Sequence, residues 1–173
     1  MIAAARLTAI RYAPMALDLE LAPANFLPTR VRDVLSELVA NPSAVDDEAL
    51  QELKPELPEF LDTFDEEPDG TEWWCYQACV MIDYSIEALI NHGVPDQIAS
   101  LERWSVEFAD TVDEYTGGED TDVFVAQEEA FWSSVREYDD AVTVTQWPAA
   151  DMVAWGERLR AAAHAAEAIM RAG

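Results

Sequence analysis

One apolar stretch, residues 73–90, restricts the folds open to this chain more than any other segment. Gln77, Asp83 and Glu87 interrupt it, and its flanks are acidic. A membrane-spanning helix would hold those side chains only at a large free-energy penalty, so the stretch is interpreted as a buried helix. Because the stretch is apolar on almost every side, we predict that it forms a helix at the centre of a bundle.

Apolar residues at helical spacing predict four further helices around this central one. Steps of three or four residues are typical of one face of an α-helix. The four stripes are Val31, Val34, Leu35, Leu38 and Val39; Ile98, Leu101, Ser105, Phe108, Val112 and Tyr115; Phe124, Phe131, Val135, Tyr138 and Val142; and Met152, Trp155, Leu159, Ala163, Ala166 and Met170. The alanines of the last stripe predict close approach of a neighbouring helix.

The remaining segments and the chain length complete the predicted architecture. A short helix is expected near residues 46–53, and Asp69 with Glu72 forms a capping box that starts the central helix. A chain of 173 residues fits one domain. We therefore predict an all-α, single-domain bundle of about five to seven helices over residues 1–173. Residues 17–21 and 142–145 alternate with period two, so a minor two-stranded element also stays open.

Acidic residues outnumber basic ones by 35 to 10, which gives a formal net charge of −25. Half of the residues are apolar and 10% are aromatic, a mixture typical of globular rather than disordered acidic chains. The charge argues against direct binding to nucleic acid or to an anionic membrane, because both need a basic face. The charge is also clustered: residues 43–72 and residues 102–140 each carry a net −11.

The two acidic clusters are the candidate site for a partner. Glu107, Asp110 and Glu114 repeat at three- and four-residue steps, where each like-charge pair destabilises a helix by about 0.2–0.5 kcal/mol. Retention of such repulsion favours a surface kept for a basic protein partner, although an acidic face kept only for solubility explains it equally well. The candidate residues are Asp62, Asp65, Glu66, Glu67 and Asp69 in the first cluster and Glu107, Asp110, Glu114, Glu119, Asp120 and Asp122 in the second.

Other chemistries find little support in the sequence. Cys75 and Cys79 lie four residues apart on the central helix, which predicts small buried side chains rather than a redox or metal pair. His92 and His164 are the only histidines, and no catalytic residue, metal or other cofactor is predicted. Asp83 is expected to be a buried carboxylate in a structural ion pair, with Arg11, Arg30, Arg158 or Arg160 as its partner.

Several alternatives stay open at this point. A carboxylate-dependent metal hydrolase would use motifs such as Glu56-x-x-Glu59 and Glu137-x-x-Asp140, and an acidic inhibitor could mimic DNA. Trp147 and Trp155 would either form a homodimer contact or lie in the core. The first residues contain no signal-peptide core ahead of Arg6 and Arg11, which predicts a cytoplasmic location.

Four short motifs carry a resemblance to a known family. They are Leu19-Glu20-Leu21-Ala22-Pro23 with Phe26, Ala78-Cys79, Trp104-Ser105-Val106 and Val125-Ala126-Gln127-Glu128. In these motifs and in their spacing the chain is similar to the YjaG-like bacterial helical proteins, although the arginine that follows the first glutamate there is absent here. The resemblance implies an all-α bundle and implies no activity, because that family has none assigned.

Small acidic all-α chains of this kind also resemble the immunity proteins encoded beside bacterial toxins. Those proteins neutralise a toxin by covering its active face, and the similarity is one of general character. It implies a non-enzymatic bacterial protein that neutralises a basic toxin partner in the cytoplasm. Together with the acidic clusters, it makes such a binding protein the leading functional hypothesis.

Overall fold

A computed structural model describes residues 1–22, 26–64, 70–116 and 123–172 of the chain. Within these ranges it contains nine helices and no strand. The helices are α1 (Ile2–Ala16), α2 (Thr29–Ala40), α3 (Asp47–Gln51), α4 (Glu56–Leu61), α5 (Glu72–Ile90), α6 (Pro95–Thr116), α7 (Val123–Glu137), α8 (Asp140–Gln146) and α9 (Ala149–Ala172). The predicted all-α fold is confirmed, with somewhat more helices than the five to seven expected.

The most buried helix is α1, which the sequence patterns did not single out. Every residue from Ala3 to Ala16 except Arg6 is buried. α1 packs mainly against α5 and α9 and also contacts α2 and α8, so it shares the centre of the bundle with the predicted central helix. α5 in turn contacts α6, α3 and α4. Pro14 lies inside the last turn of α1, which ends where the N–H of Leu17 donates to the carbonyl oxygen of Ala13.

The two alternating segments do not form the minor two-stranded element that the sequence left open. Residues 17–21 form turns that follow α1, and residues 142–145 lie inside α8. Asp18 explains the first case, because its Oδ1 accepts the backbone N–H groups of Glu20 and Leu21 and so closes a turn. Asp139 explains the second, since its side chain caps the first turn of α8 by accepting the N–H of Val142.

That same cap divides a helix that the stripe from Phe124 to Val142 predicted as one. Asp139 has an extended backbone with a ψ of 170°, so the chain leaves α7 and begins α8 there. Phe131 and Val135 on α7 are buried as expected, whereas Tyr138 and Val142 are exposed. The spacing of the apolar residues therefore continues across the helix break at Asp139, which is why it predicted one helix.

An ion pair lies in the core between α1 and α7. Nη2 of Arg11 is 3.0 Å from Oε2 of Glu128, and neither side chain is more than 1% exposed. The guanidinium group also lies 4.4 Å from the ring centroid of Trp155 and 4.8 Å from that of Phe131. Trp132 donates its indole N–H towards Glu128 at 3.2 Å. The pair and its rings join α1, α7 and α9.

Two predictions about the last helix change with this packing. Trp155 is 1% exposed, so its role as a homodimer contact is wrong, and it belongs to the core. α9 also approaches α1 closely at Gly156, which the stripe of alanines did not single out. A Cβ placed on Gly156 would lie 2.1 Å from the carbonyl oxygen of Arg11. The two helices cross where only a glycine leaves room.

Candidate functional site

Three of the predicted partner-binding residues share the outer face of α6. Glu107, Asp110 and Glu114 are all exposed, as the spacing of the opposite apolar stripe requires. Ile98, Leu101, Phe108 and Val112 on that stripe are buried, whereas Tyr115 is 44% exposed. Asp62 is also exposed, at the end of α4. Asp65, Glu66, Glu67, Asp69, Glu119, Asp120 and Asp122 lie outside the described residues, as does the Asp69 half of the predicted capping box.

Most basic residues pair with carboxylates away from this acidic face of α6, whereas Arg103 lies one turn before Glu107 with its guanidinium over the ring of Trp104. Eight of the ten pair with a carboxylate in the described part of the chain. These pairs are Arg6 with Asp47, Arg11 with Glu128, Arg30 with Glu52 and Glu56, Arg32 with Asp33, Lys54 with Asp83 and Glu87, Arg136 with Glu102, Arg160 with Asp18 and Glu157, and Arg171 with Glu167. Among the described residues none of these cations reaches the three α6 carboxylates, so their charge faces solvent.

Asp113, one turn before the end of α6, holds the start of α7. Its carboxylate accepts the backbone N–H groups of Phe124 and Val125, at 2.9 Å each for Oδ2. The first N–H groups of a helix have no partner within the helix, and a carboxylate there also meets the positive end of the helix dipole. Asp113 is therefore a structural acid that ties the end of α6 to the start of α7.

An aromatic cleft of about 330 Å³ lies where α5, α6 and α9 meet. Trp73, Trp74, Tyr115, Glu167 and Met170 line it, together with Gly70 and Thr111. The ring planes of Trp73 and Trp74 cross at 83°, and those of Trp74 and Tyr115 cross at 80°. The rings thus bound the space from different sides instead of forming one stack.

Glu167 is the charged group of this cleft. Its side chain is 10% exposed, and its Oε1 accepts the indole N–H of Trp74 at 2.9 Å. Oε2 has no hydrogen bond among the described residues, and its nearest cation is Nε of Arg171 at 3.8 Å. Arg171 is 70% exposed, so its pairing with Glu167 is a surface interaction worth about 0–1 kcal/mol.

The cleft also relates the two acidic clusters to each other. Gly70 lines it and directly follows residues 65–69, while Tyr115 lines it and lies two residues before residues 117–122. Both segments therefore join the described chain within two residues of the same cleft. Sequence reasoning missed the cleft itself, because Glu167 and Trp74 are 93 residues apart and no local pattern links them.

The prediction for Asp83 was right about an ion pair and wrong about the partner. Lys54, at the end of the short segment after α3, places Nζ 3.2 Å from Asp83 and 2.6 Å from Glu87. Burial raises the pKa of Asp83 above its ordinary value despite Lys54, and the charges of Glu87 and Asp62 act in the same direction. Asp83 is half-buried rather than fully buried. None of the arginines Arg11, Arg30, Arg158 and Arg160 pairs with it in the described part of the chain.

A second polar cluster joins the end of α1 to α9. Asp18 is 4% exposed, and its Oδ2 lies 2.7 Å from Nε2 of His164 and 3.7 Å from Nε of Arg160. Burial acts to raise the pKa of this carboxyl, but the N–H groups of Glu20 and Leu21 and the imidazole of His164 together hold it below its ordinary value. Asp18 therefore stays ionised and fixes the turn after α1 to α9.

We expect Asp18→Asn to lower the free energy of unfolding by about 1.5–3 kcal/mol at neutral pH, because the bonds to a charged acceptor are lost. A folded-state pKa below the unfolded value contributes stability above about pH 4, and this contribution disappears as pH falls through the folded pKa. The deficit of the variant should thus shrink in strong acid, measured by urea denaturation. Asp33→Asn, at an exposed site on α2, is the control; a deficit of Asp18→Asn that does not change with pH contradicts the assignment.

Both cysteines are buried small side chains, as predicted. Neither is measurably exposed, and the Sγ of Cys75 lies 3.3 Å from the carbonyl oxygen of Met15. Burial raises the pKa of the Cys75 thiol to about 12 and that of Cys79 well above its usual value. The thiol of Cys75 thus joins α5 to the end of α1.

The described ranges do not meet the requirements of a metal site or of a membrane-spanning helix. They hold no group of three or more histidine, cysteine, aspartate or glutamate side chains placed to bind a metal ion. Glu56 and Glu59 lie on α4, while Glu137 ends α7 and Asp140 begins α8. None of the described helices combines the length and apolarity that crossing a membrane requires.

No model of a protein family, no curated protein and no solved structure matches this chain.

Proposed function

We propose that this chain is a non-enzymatic cytoplasmic binding protein whose acidic surface docks a basic protein partner, and that the partner is a toxin which it neutralises. The observation that carries the proposal is the acidic face of α6, on which Glu107, Asp110 and Glu114 are exposed and form no ion pair with a described residue. The resemblance to immunity proteins supports the choice of a toxin.

The distribution of ion pairs is what favours a partner over a face kept only for solubility. Eight of the ten basic residues pair with carboxylates in other places, and Asp113 beside this face is occupied in capping α7. Arg103 lies one turn before Glu107, but no described cation is within ion-pair distance of Glu107, Asp110 or Glu114. The repulsion among these three carboxylates is therefore not relieved by an ion pair within the described chain. A basic partner would relieve it and would be drawn in at electrostatically steered rates.

Most of the other predicted candidates lie in two acidic segments of the sequence. Residues 65–69 and 117–122 contribute seven of the predicted candidates, and both join the chain beside the aromatic cleft. An interface that combines aromatic side chains with a charged rim has the composition typical of protein recognition sites. We infer that the partner covers the α6 face and the cleft together.

A charge-neutralising variant tests the proposal. Glu107→Gln, Asp110→Asn and Glu114→Gln are combined in one chain, and Glu37→Gln, Glu48→Gln and Asp151→Asn are combined in a control with the same change in net charge. All six sites are exposed, and the control sites lie on α2, α3 and α9. Tagged versions of both chains and of the natural chain are used to capture proteins from the native lysate at about 0.15 M salt, where charges are screened beyond about 8 Å.

We expect one basic protein to bind the natural chain and the control but not the α6 variant. Its association rate, measured with the purified partner, should fall and lose much of its salt dependence in the α6 variant. The natural chain should also inhibit the activity of that partner. Equal capture by both variants, or a crowd of basic proteins that all dissociate as salt rises, would overturn the proposal.

A further inference from the structure

We propose that the aromatic cleft between α5, α6 and α9 is a binding site for an organic cation, an alkylammonium or guanidinium group held between Trp73, Trp74 and Tyr115 and paired with Glu167. This site does not depend on the acidic face of α6. The cation can belong to a free small molecule or to a basic side chain of a protein, and the experiment below distinguishes these sources.

The aromatic walls supply the first part of the argument. The face of an aromatic ring attracts a cation with about 0.5–2 kcal/mol, and tryptophan attracts it most strongly. Trp73 and Tyr115 line the cleft from α5 and α6, and Trp74, which is only 1% exposed, lines it from the side of the core. The ring plane of Trp74 is close to perpendicular to those of both Trp73 and Tyr115. Trp73 is supported from behind by Phe108, whose ring stacks on it at a centroid distance of 6.0 Å.

The carboxylate supplies the second part. The side chain of Glu167 is 10% exposed, and its Oε1 accepts the indole N–H of Trp74, whereas Oε2 is not fully buried and has no hydrogen bond with a described residue. The indole of Trp74 orients the carboxylate, and Oε2 is left for a ligand. A cation in the cleft would pair with Oε2 in place of the exposed guanidinium of Arg171.

Size and position agree with a small ligand. The cleft measures about 330 Å³, at the lower end of the range of about 300–1,000 Å³ for small-molecule sites. Met170 provides a flexible apolar edge, and it is 44% exposed without a ligand. An alkyl cation would cover this methionine and Tyr115 while its charge meets Glu167.

The test is a titration followed by tryptophan fluorescence in a buffer without amines, at constant ionic strength. The probes are choline, its neutral isostere 3,3-dimethylbutan-1-ol, n-butylammonium and n-butylguanidinium. We expect saturable binding of the cations. The neutral isostere should bind at least roughly tenfold more weakly than choline, since it loses the attraction of both the rings and the carboxylate. Tighter binding of choline indicates a free quaternary ammonium ligand, and tighter binding of the butyl cations indicates a lysine or arginine side chain.

Three variants separate the site from the general acidity of the chain. Glu167→Gln keeps an acceptor for Trp74 and should weaken cation binding roughly tenfold, whereas Glu157→Gln on the same helix should leave it unchanged. Arg171→Gln removes the competing cation and should tighten binding by up to about fivefold. Absence of saturation with every cation, equal binding of the neutral isostere, or unchanged affinity in both Glu167→Gln and Arg171→Gln would overturn the assignment. The Arg171 variant and the isostere still decide the matter if Glu167→Gln does not fold.

Discussion

Replacement of Arg11 by methionine is expected to lower the free energy of unfolding by about 3–5 kcal/mol at neutral pH. Removal of one partner of a buried ion pair leaves the other charge buried without compensation, and this is the usual size of that loss. Arg11 and Glu128 are both within 1% of complete burial, and their charged atoms are 3.0 Å apart. The arginine also contacts the rings of Trp155 and Phe131, so the loss includes packing between α1, α7 and α9.

The deficit of Arg11→Met should grow as pH rises above about 4, and that of Glu128→Gln should shrink. Burial raises the pKa of Glu128 above its ordinary value even beside Arg11, so loss of the arginine raises it further. A carboxyl whose folded pKa exceeds its unfolded value stabilises the fold below about pH 4, and this contribution is lost as pH rises through the folded pKa. Arg11→Met is therefore less damaging at about pH 5 than at about pH 8. The deficit of Glu128→Gln changes in the opposite direction, because the natural chain loses the contribution of Glu128 as pH rises while the arginine left in the variant stays charged throughout.

Urea denaturation of the single variants and of the double variant with methionine at both positions measures these effects. The double variant should be more stable than either single variant, because neither charge remains buried. Arg136→Met is the matched control, since its ion pair with Glu102 is exposed and should contribute less than about 1 kcal/mol. Equal losses for Arg11→Met and Arg136→Met would show that the buried pair is not holding the core together.

The fold class followed from the sequence because most helices here are amphipathic. In α2 the spacing of Val31, Leu35 and Leu38 predicted one buried face, and all three are fully buried. α1 escaped notice because an almost completely buried helix shows no contrast between two faces, and Pro14 and Arg11 within it resemble signals for a break or an exposed end. Such a helix becomes recognisable only once its neighbours cover it.

The limits of local patterns also explain the errors. The period-two segments at residues 17–21 and 142–145 are too short for periodicity to outweigh capping by Asp18 and Asp139, each of which satisfies backbone N–H groups. The partner of Asp83 depended on where the loop after α3 places Lys54, which no spacing along α5 encodes. Long-range ion pairs are fixed by the assembly of helices rather than by one of them.

The same distinction holds for the candidate site. The acidic face of α6 was predictable, because Glu107, Asp110 and Glu114 lie on one helix and their spacing alone puts them on one side. The aromatic cleft was not, because it needs Trp73 and Trp74 from α5, Tyr115 from α6 and Glu167 from α9. Only the packing of three helices brings the carboxylate of the last of these to the indole of Trp74.

Replacement of Gly156 by alanine is expected to destabilise the fold by about 2 kcal/mol or more, although alanine is the better helix former. Gly156 lies inside α9, where the change alone would raise stability by about 1 kcal/mol. A Cβ at this position would lie 2.1 Å from the carbonyl oxygen of Arg11 and 2.9 Å from Cγ of Pro14. The oxygen belongs to the backbone of the most buried helix and the proline ring is rigid, so α1 and α9 must move apart, at the upper end of the usual overpacking penalty.

Thermal and urea denaturation of Gly156→Ala measures this loss, with Ala154→Gly as the matched control on the same helix. Ala154 is exposed, so its change should lower stability by about 1 kcal/mol through helix propensity alone. The two substitutions are chemical inverses, and propensity by itself predicts opposite signs for them. A loss of stability in both variants, larger for Gly156→Ala, assigns the difference to the contact with Arg11, because that is where the added methyl group meets backbone. A gain of stability in Gly156→Ala would contradict the prediction, because it would mean that α1 and α9 have room to separate at this crossing.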